Sequence, residues 1–316
     1  MSTSRENENY AVGSGPAETA GVEAGEEYWT PERRAAAIPV PLPRERAAAQ
    51  PEQAIAPQPA GKTGRTPAGH NGTARAQRGS GDGGGTSDAD PVLNPLAYPY
   101  TACGKLFFTQ GTGNFAGSAA LVAPNVLLTA GHCVFGNGSW STNLAFFPSY
   151  PSRATTDAAY RFGYRNVAAW TAWTQRGDRA FDYGMVWFDS APGNQVGRLG
   201  LLWNAVTAGR VWDAVGYPAT PSPPFDGNKM DEALGTVQSS STTGTIGLSN
   251  DNMEHGSSGG PWITDFNGSP REYANGLQSF HIDDGDTVEY GPYFTQDVKG
   301  LLDWISDPAN RSLVRA

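Results

Sequence analysis

Leu127–Val134 reads LLTAGHCV, and Gly256–Trp262 reads GSSGGPW. The first is an apolar run that shrinks to Ala and Gly before reaching His132. The second is a glycine-lined turn around two serines, with Trp262 opening the next apolar run. Between them RAFDYGMVWF, Arg179–Phe188, places Asp182 at the head of another apolar stretch. Short apolar segments flanked by Gly, Pro and Asn read as strands, so each of the three motifs sits at a strand end.

The surrounding sequence has the same texture. KLFF (105–108), SAALVA (118–123), NVLLTA (125–130), LAFFP (144–148) and YGMVWF (183–188) read as strands. So do RVWDAVGYP (210–218), EALGTVQSS (232–240), GPWITDF (260–266) and NGLQSFHI (275–282). Close spacing with almost no helical periodicity predicts an all-β barrel or sandwich. One helix is expected, QDVKGLLDWISD (296–307), with Val298, Leu301, Leu302 and Ile305 on one face.

The chain has 316 residues, 38% hydrophobic, with a formal charge of −9. Before Pro91 the only aromatics are Tyr10, Tyr28 and Trp29; Ala, Pro, Gly, Glu and Arg dominate instead. Such a stretch has too little apolar surface to offset its chain entropy, so residues 1–92 are expected to be a disordered leader. A short helix is expected after Thr30 as N-cap, with Pro31 at its first position. IPVPLP then breaks it, and 61–85 reads as a flexible linker. His70, in that linker, is expected to be solvated. No basic stripe suits nucleic acid, no run approaches the ~18 apolar residues of a membrane span, and no secretory signal is visible.

The three motifs supply what acyl transfer needs. A serine hydroxyl requires a base, and the pKa of histidine suits that task near neutral pH. A carboxylate must hold the imidazole in one tautomer. Backbone amides must meet the developing oxyanion, which calls for a tight turn at the nucleophile. Gly256 would turn its amide toward substrate, and Gly259 and Gly260 would leave room for the approaching peptide.

On these residues the chain resembles the chymotrypsin-like serine proteases. TAGHC is similar to the family's His box, Ser-Gly-Gly-Pro to its nucleophile box, and the order His, Asp, Ser is the same. GPYFTQDVKGLLDWI resembles the last strand and terminal helix. The resemblance covers about Ala97 to Asp307, and within it the bacterial branch that includes the glutamyl endopeptidases is most similar. Tyr28–Arg33, YWTPER, resembles propeptides of actinobacterial members. The resemblance implies two antiparallel six-stranded β-barrels with a C-terminal helix. Residues 93–190 would carry His132 and Asp182, and 191–316 would carry Ser258. His132 would act as base then acid, Asp182 as its orienter, Ser258 as nucleophile, and the amides of Gly256 and Ser258 as oxyanion hole. Ser257 is set aside because the family's nucleophile directly precedes Gly-Gly-Pro. Asp178 and Asp189 are set aside because they flank the apolar strand, and His255 is read as lining the cleft rim.

The chain departs from the family in three places. Ser257 stands where animal digestive enzymes carry the Asp that pairs with a newly cut N-terminus. The pocket base falls on Asn252, which argues against a preference for Lys or Arg. Gln278, Ser279, Phe280 and His281 form the pocket's edge strand, with His281 expected either to recognise an acidic side chain or to narrow the pocket. A Cys103–Cys133 disulfide is inferred because the chain has only two cysteines. The reading is therefore a secreted, monomeric serine endopeptidase acting on proteins or peptides, without metal or cofactor. An esterase using the same triad and a non-catalytic protein-binding relative are the rival readings.

Overall fold

A computed structural model of the chain describes residues 9–14, 28–46, 59, 61–70, 72, 87–152, 162–266, 269–283 and 288–312. The first 92 residues contribute β1 (Tyr10–Ser14), β2 (Ile38–Pro39), β3 (Arg44–Arg46), β4 (Gly64–Arg65) and β5 (Ser87–Pro91). Next come β6 (Cys103–Gln110), β7 (Gly113–Ala123) and β8 (Val126–Thr129). The ribbon β9 (Phe135–Gly136) and β10 (Ser139–Trp140) precedes β11 (Thr142–Pro148), β12 (Phe162–Gly163), β13 (Asn166–Trp170) and β14 (Gly184–Trp187). These build one sheet in the order β1-β13-β14-β8-β7-β6-β11-β12, with β2 added to β7.

The second sheet takes β15 (Gly200–Trp203), β16 (Val211–Gly216), β17 (Asp231–Gln238) and β18 (Thr245–Leu248). It is completed by β19 (Pro261–Phe266), β20 (Ser269–Leu277), β21 (Phe280–Asp283) and β22 (Glu289–Pro292). The order is β3-β21-β22-β18-β17-β16-β19-β20-β15-β4, with β5 on β17. The fold is all-β of the chymotrypsin-like kind, as expected. NGLQSFHI is two strands rather than one, because Gln278 and Ser279 turn out to bond Gly260 and Tyr290.

One core joins the sheets. Leu106, Leu121, Leu127, Phe146, Val167 and Val186 are fully buried on the first side, Ile263 and Leu277 on the second. Each such side chain contributes about 1.5–3 kcal/mol of transfer free energy. The terminal helix, Gln296–Ser306, is capped by Thr295 and buries Val298, Leu301, Leu302 and Ile305 against this core, the face its periodicity predicts.

The described part of residues 1–92 lies against the sheets, which supply the apolar surface that the segment lacks; the rest of that segment, including 73–86, lies outside the described residues. Trp29 is fully buried among Phe107, Ala116, Ala145 and Phe147, and its indole N–H donates to Asn143 O at 2.5 Å. The predicted helix forms at Pro31–Ala35, with the Thr30 hydroxyl accepting from Arg33 N. His70 is exposed as expected, its ring 5.1 Å from that of Tyr98. The expected disulfide is absent: Cys103 and Cys133 are both buried free thiols. Register explains it. Cys103 pairs with Ala120 on β7, whereas Cys133 packs at Gly117, three residues and roughly 10 Å further along that strand. Burial pushes the Cys103 thiol far above its ordinary pKa.

Candidate active site

β8 ends at Thr129, and the chain turns into the short helix Gly131–Val134, which carries His132. Gln110 on β6 holds that turn by donating to His132 O at 2.7 Å. Asp182 caps a single 3-10 turn, Arg179–Phe181, just before β14. Because β14 pairs with β8, the register sets Gly184 opposite Thr129 and brings Asp182 to the base of the His132 turn.

The carboxylate is fully buried and fully engaged. Asp182 Oδ1 accepts the His132 backbone N–H at 2.8 Å, and Oδ2 lies 2.9 Å from His132 Nδ1. The Ser279 hydroxyl donates to Oδ2 at 2.6 Å, and the Arg179 guanidinium stands 3.4 Å away. Burial alone would raise the pKa of Asp182, but the charge and hydrogen bond of His132, with Arg179 and Ser279, hold it below its ordinary value. Burial would lower that of His132, but the Asp182 carboxylate outweighs it and raises it. The imidazolium that a base must become is thus stabilised before any reaction.

Ser258 arrives from the other sheet, in the turn before β19. Gly256 takes φ +94°, and a Cβ there would press on Tyr217 O. Gly259 takes φ +84°, and a Cβ there would strike Ser118 O and the Thr129 hydroxyl. The space at Gly259 and Gly260 is therefore filled by Ser118, Thr129 and Val215 of the protein itself, not kept for a peptide. Ser118 on β7 stitches the turn to the first sheet. Its N–H donates to Ser258 O at 2.9 Å and its hydroxyl to Gly256 O at 2.9 Å. Ser257 donates its hydroxyl to Glu254 O at 2.5 Å. Ser258 Oγ and His132 Nε2 are both buried without a hydrogen-bond partner among the described residues.

The structure brings His132, Asp182, Ser279 and the Ser258 turn to the seam between the two sheets. The expected pocket residues are held by the fold as follows. Asn252 has its carboxamide oxygen on Ala89 N of β5 at 3.0 Å. Gln278 and Phe280 are fully buried, and Phe280 stacks on Tyr290 at 5.5 Å. The His281 ring is buried, with Nδ1 3.0 Å from Val288 O and Nε2 3.1 Å from the Glu289 carboxylate. Burial lowers the pKa of His281 and raises that of Glu289 well above the usual carboxylate range. His255 accepts from Leu42 N through Nδ1 at 3.0 Å.

Sequence reasoning missed Glu289, Arg179 and Ser118. Each is an ordinary polar residue within or beside a strand, and its partners show only once the chain is folded. It also missed that residues 38–46 cross the site. The alternating prolines of IPVPLPRER were a signal for extended backbone, read at first only as a helix breaker.

A model of the Trypsin family matches residues 97–305. The solved protease Anisep from Arthrobacter nicotinovorans is 28% identical, with a TM-score of 0.57, covering 68% of this chain and 96% of that one. The extracellular metalloprotease of Bacillus subtilis (strain 168) is 27% identical over 122 residues, 37% of each protein. The glutamyl endopeptidase of Bacillus licheniformis is 27% identical over 142 residues, 42% of this chain and 41% of that protein. The matches thus span about 37–41% of the curated relatives' length. Among the described residues, no group of three or more His, Cys, Asp or Glu is arranged to hold a metal, and no helix is long and apolar enough to cross a membrane.

Proposed function

Because the chain belongs to the Trypsin family, we propose that it is a serine endopeptidase working through Ser258, His132 and Asp182. The observation that carries the reading is the buried Asp182 carboxylate bonded at once to the His132 ring and backbone, on the seam where the Gly256–Ser258 turn enters. Ser258 Oγ attacks the scissile carbonyl while His132 Nε2 takes its proton. Asp182 keeps the other ring proton on Nδ1 and offsets the imidazolium charge. The oxyanion is met by the amides of Gly256 and Ser258. Collapse expels the amine, which receives the proton from His132, and leaves an acyl group on Ser258. Water then repeats the cycle and frees the acid. No step draws on a metal or organic cofactor.

The substrates are proteins or peptides, taken along the β21 edge. Of the two roles open to His281, narrowing the pocket is better supported than gripping an acidic side chain. The ring is buried against its own neighbours, with Nδ1 3.0 Å from Val288 O and Nε2 3.1 Å from the Glu289 carboxyl. Secretion fits this activity and remains part of the proposal. The test is incubation with a fluorophosphonate, to tag the nucleophile, followed by a peptide library read by mass spectrometry. Tagging at Ser258 and internal peptide cuts are expected. Tagging with ester but no peptide hydrolysis would favour an esterase, and no tagging in any form of the chain would favour a non-catalytic binder.

A further inference from the structure

The chain's own residues 38–46 cross the Ser258 turn, where Val40 O meets Gly256 N, and the nucleophile is 0% exposed. We propose that this segment, IPVPLPRER, is a ligand of the cleft: an extended, proline-alternating peptide supplied in cis that occupies the oxyanion amide and the substrate edge together. The proposal rests on the serine peptidase reading for the meaning of the cleft.

The contacts run the length of the segment. Ile38 and Pro39 pair with Phe115 and Ala116 of β7, and Val40 N donates to Ala116 O at 2.8 Å. Val40 O accepts from Gly256 N at 3.1 Å, taking the amide proposed for the oxyanion. Leu42 N donates to His255, and Pro43 O accepts from His281 N at 2.9 Å. Residues 44–46 then continue as β3, parallel to β21. Two charge pairs fasten this end. Arg44 meets Glu254 at 2.8 Å, and Glu45 meets Arg179 at 2.8 Å, the same Arg179 that faces Asp182.

The composition suits the task. Prolines at 39, 41 and 43 have no N–H, so between Pro39 and Pro43 the only backbone donors are Val40 and Leu42, and both are used. The side chains of Val40 and Leu42 are 5% and 2% exposed. Proline also fixes φ in the free chain, so less entropy is lost on docking. The bond after the bound carbonyl is Val40–Pro41. Its nitrogen carries a ring carbon where an ordinary leaving amine carries hydrogen, which crowds the approach of any general acid. The segment thus binds as a peptide without offering an easily cut bond.

The test uses the full chain. Val40→Asp/Leu42→Asp puts carboxylates where apolar contacts are buried and touches no group of the proposed machinery. Fluorophosphonate labelling of Ser258 should be at least about tenfold faster than in wild type, since label and segment compete for one site. Arg44→Glu, a milder change on an exposed side chain, should give a smaller rise. Synthetic peptide Ile38–Arg46 added to the double variant should slow labelling again and be recovered uncut. Equal labelling rates in wild type and both variants, or cleavage of that peptide at Val40–Pro41, overturns the proposal. If labelling accelerates but no peptide is hydrolysed, the segment's role stands and the endopeptidase reading falls. If no form is labelled, amide exchange at Gly256 and His281 decides. Faster exchange in the double variant supports the docked segment, and equal exchange overturns it.

Discussion

Trp29 and Trp262 are both fully buried, yet they arrive there by different routes. Trp262 lies on β19, bonded on both sides by β16 and β20, in a stretch whose apolar residues announce a core strand. Trp29 lies outside any strand, and the fully buried residues around it, Phe107, Ala116, Ala145 and Phe147, all belong to the first sheet. The body of the protein thus contains the reasons for its own order, whereas the N-terminal segment takes its order from the body. Composition measures whether a segment can fold alone, not whether it is ordered in company.

The chemistry should belong to the body alone. Ser258→Ala removes one oxygen and should lower the peptidase rate by about 10⁶-fold, the scale seen when a triad member is lost. Circular dichroism and Tm should stay unchanged, and the 28–46 segment should stay docked, because its contacts use the Gly256 amide and not the Ser258 hydroxyl. Ser257→Ala loses only a bond to Glu254 O and should keep appreciable activity. Reversed behaviour of the two variants would place the nucleophile at Ser257.

A smaller effect separates the regions energetically. Trp29→Ala should weaken the segment's docking by about 3–5 kcal/mol, the usual cost of deleting a buried tryptophan. The loss should be local. Amides of Arg34, Ala36 and Val40, bonded to Thr30, Glu32 and Ala116, should exchange faster. Those of Leu128 and Val186, inside β8 and β14, should not. Equal acceleration in both sets would show one cooperative unit and dissolve the distinction.

What the sequence made legible follows the same division. The strand ends that carry His132 and Asp182, the glycine turn at Ser258 and the buried face of the terminal helix were readable because local pattern marks them. The strands Gly200–Trp203 and Ser269–Leu277 were not, since the first is short and the second, SPREYANGL, is largely polar. Glu289 faces His281 across the β21–β22 pair, and Arg179 reaches Glu45 on β3, pairings that no local pattern marks. The Cys103–Cys133 bridge failed for a similar reason: a count of two cysteines says nothing about their separation along β7. The prolines of 38–46 were visible as a helix breaker, but the segment's destination lies in a cleft built from distant strands.

The smallest expected effect tests how dry the body is beneath the N-terminal strands. Asp251 is fully buried next to Asn252, whose side chain accepts from Ala89 of β5. Its Oδ1 accepts from Met253 N, while Oδ2 has no hydrogen-bond partner among the described residues. Burial pushes its pKa from 3.8 up to about 7, against a slight lowering by the Met253 amide. The folded chain therefore holds this proton more tightly than the unfolded chain. Its contribution to stability is fully present below about pH 4, shrinks as pH rises, and is lost above about pH 7. Asp251→Asn keeps the shape without the charge. Its advantage over wild type should grow from nothing near pH 4 to no more than about 4 kcal/mol above pH 7, at 1.36 kcal/mol per pKa unit. Urea unfolding of both proteins across that range measures it. A difference that does not change with pH would mean that Asp251 is as well solvated in the folded chain as in the unfolded one, and that the N-terminal strands do not seal this part of the body.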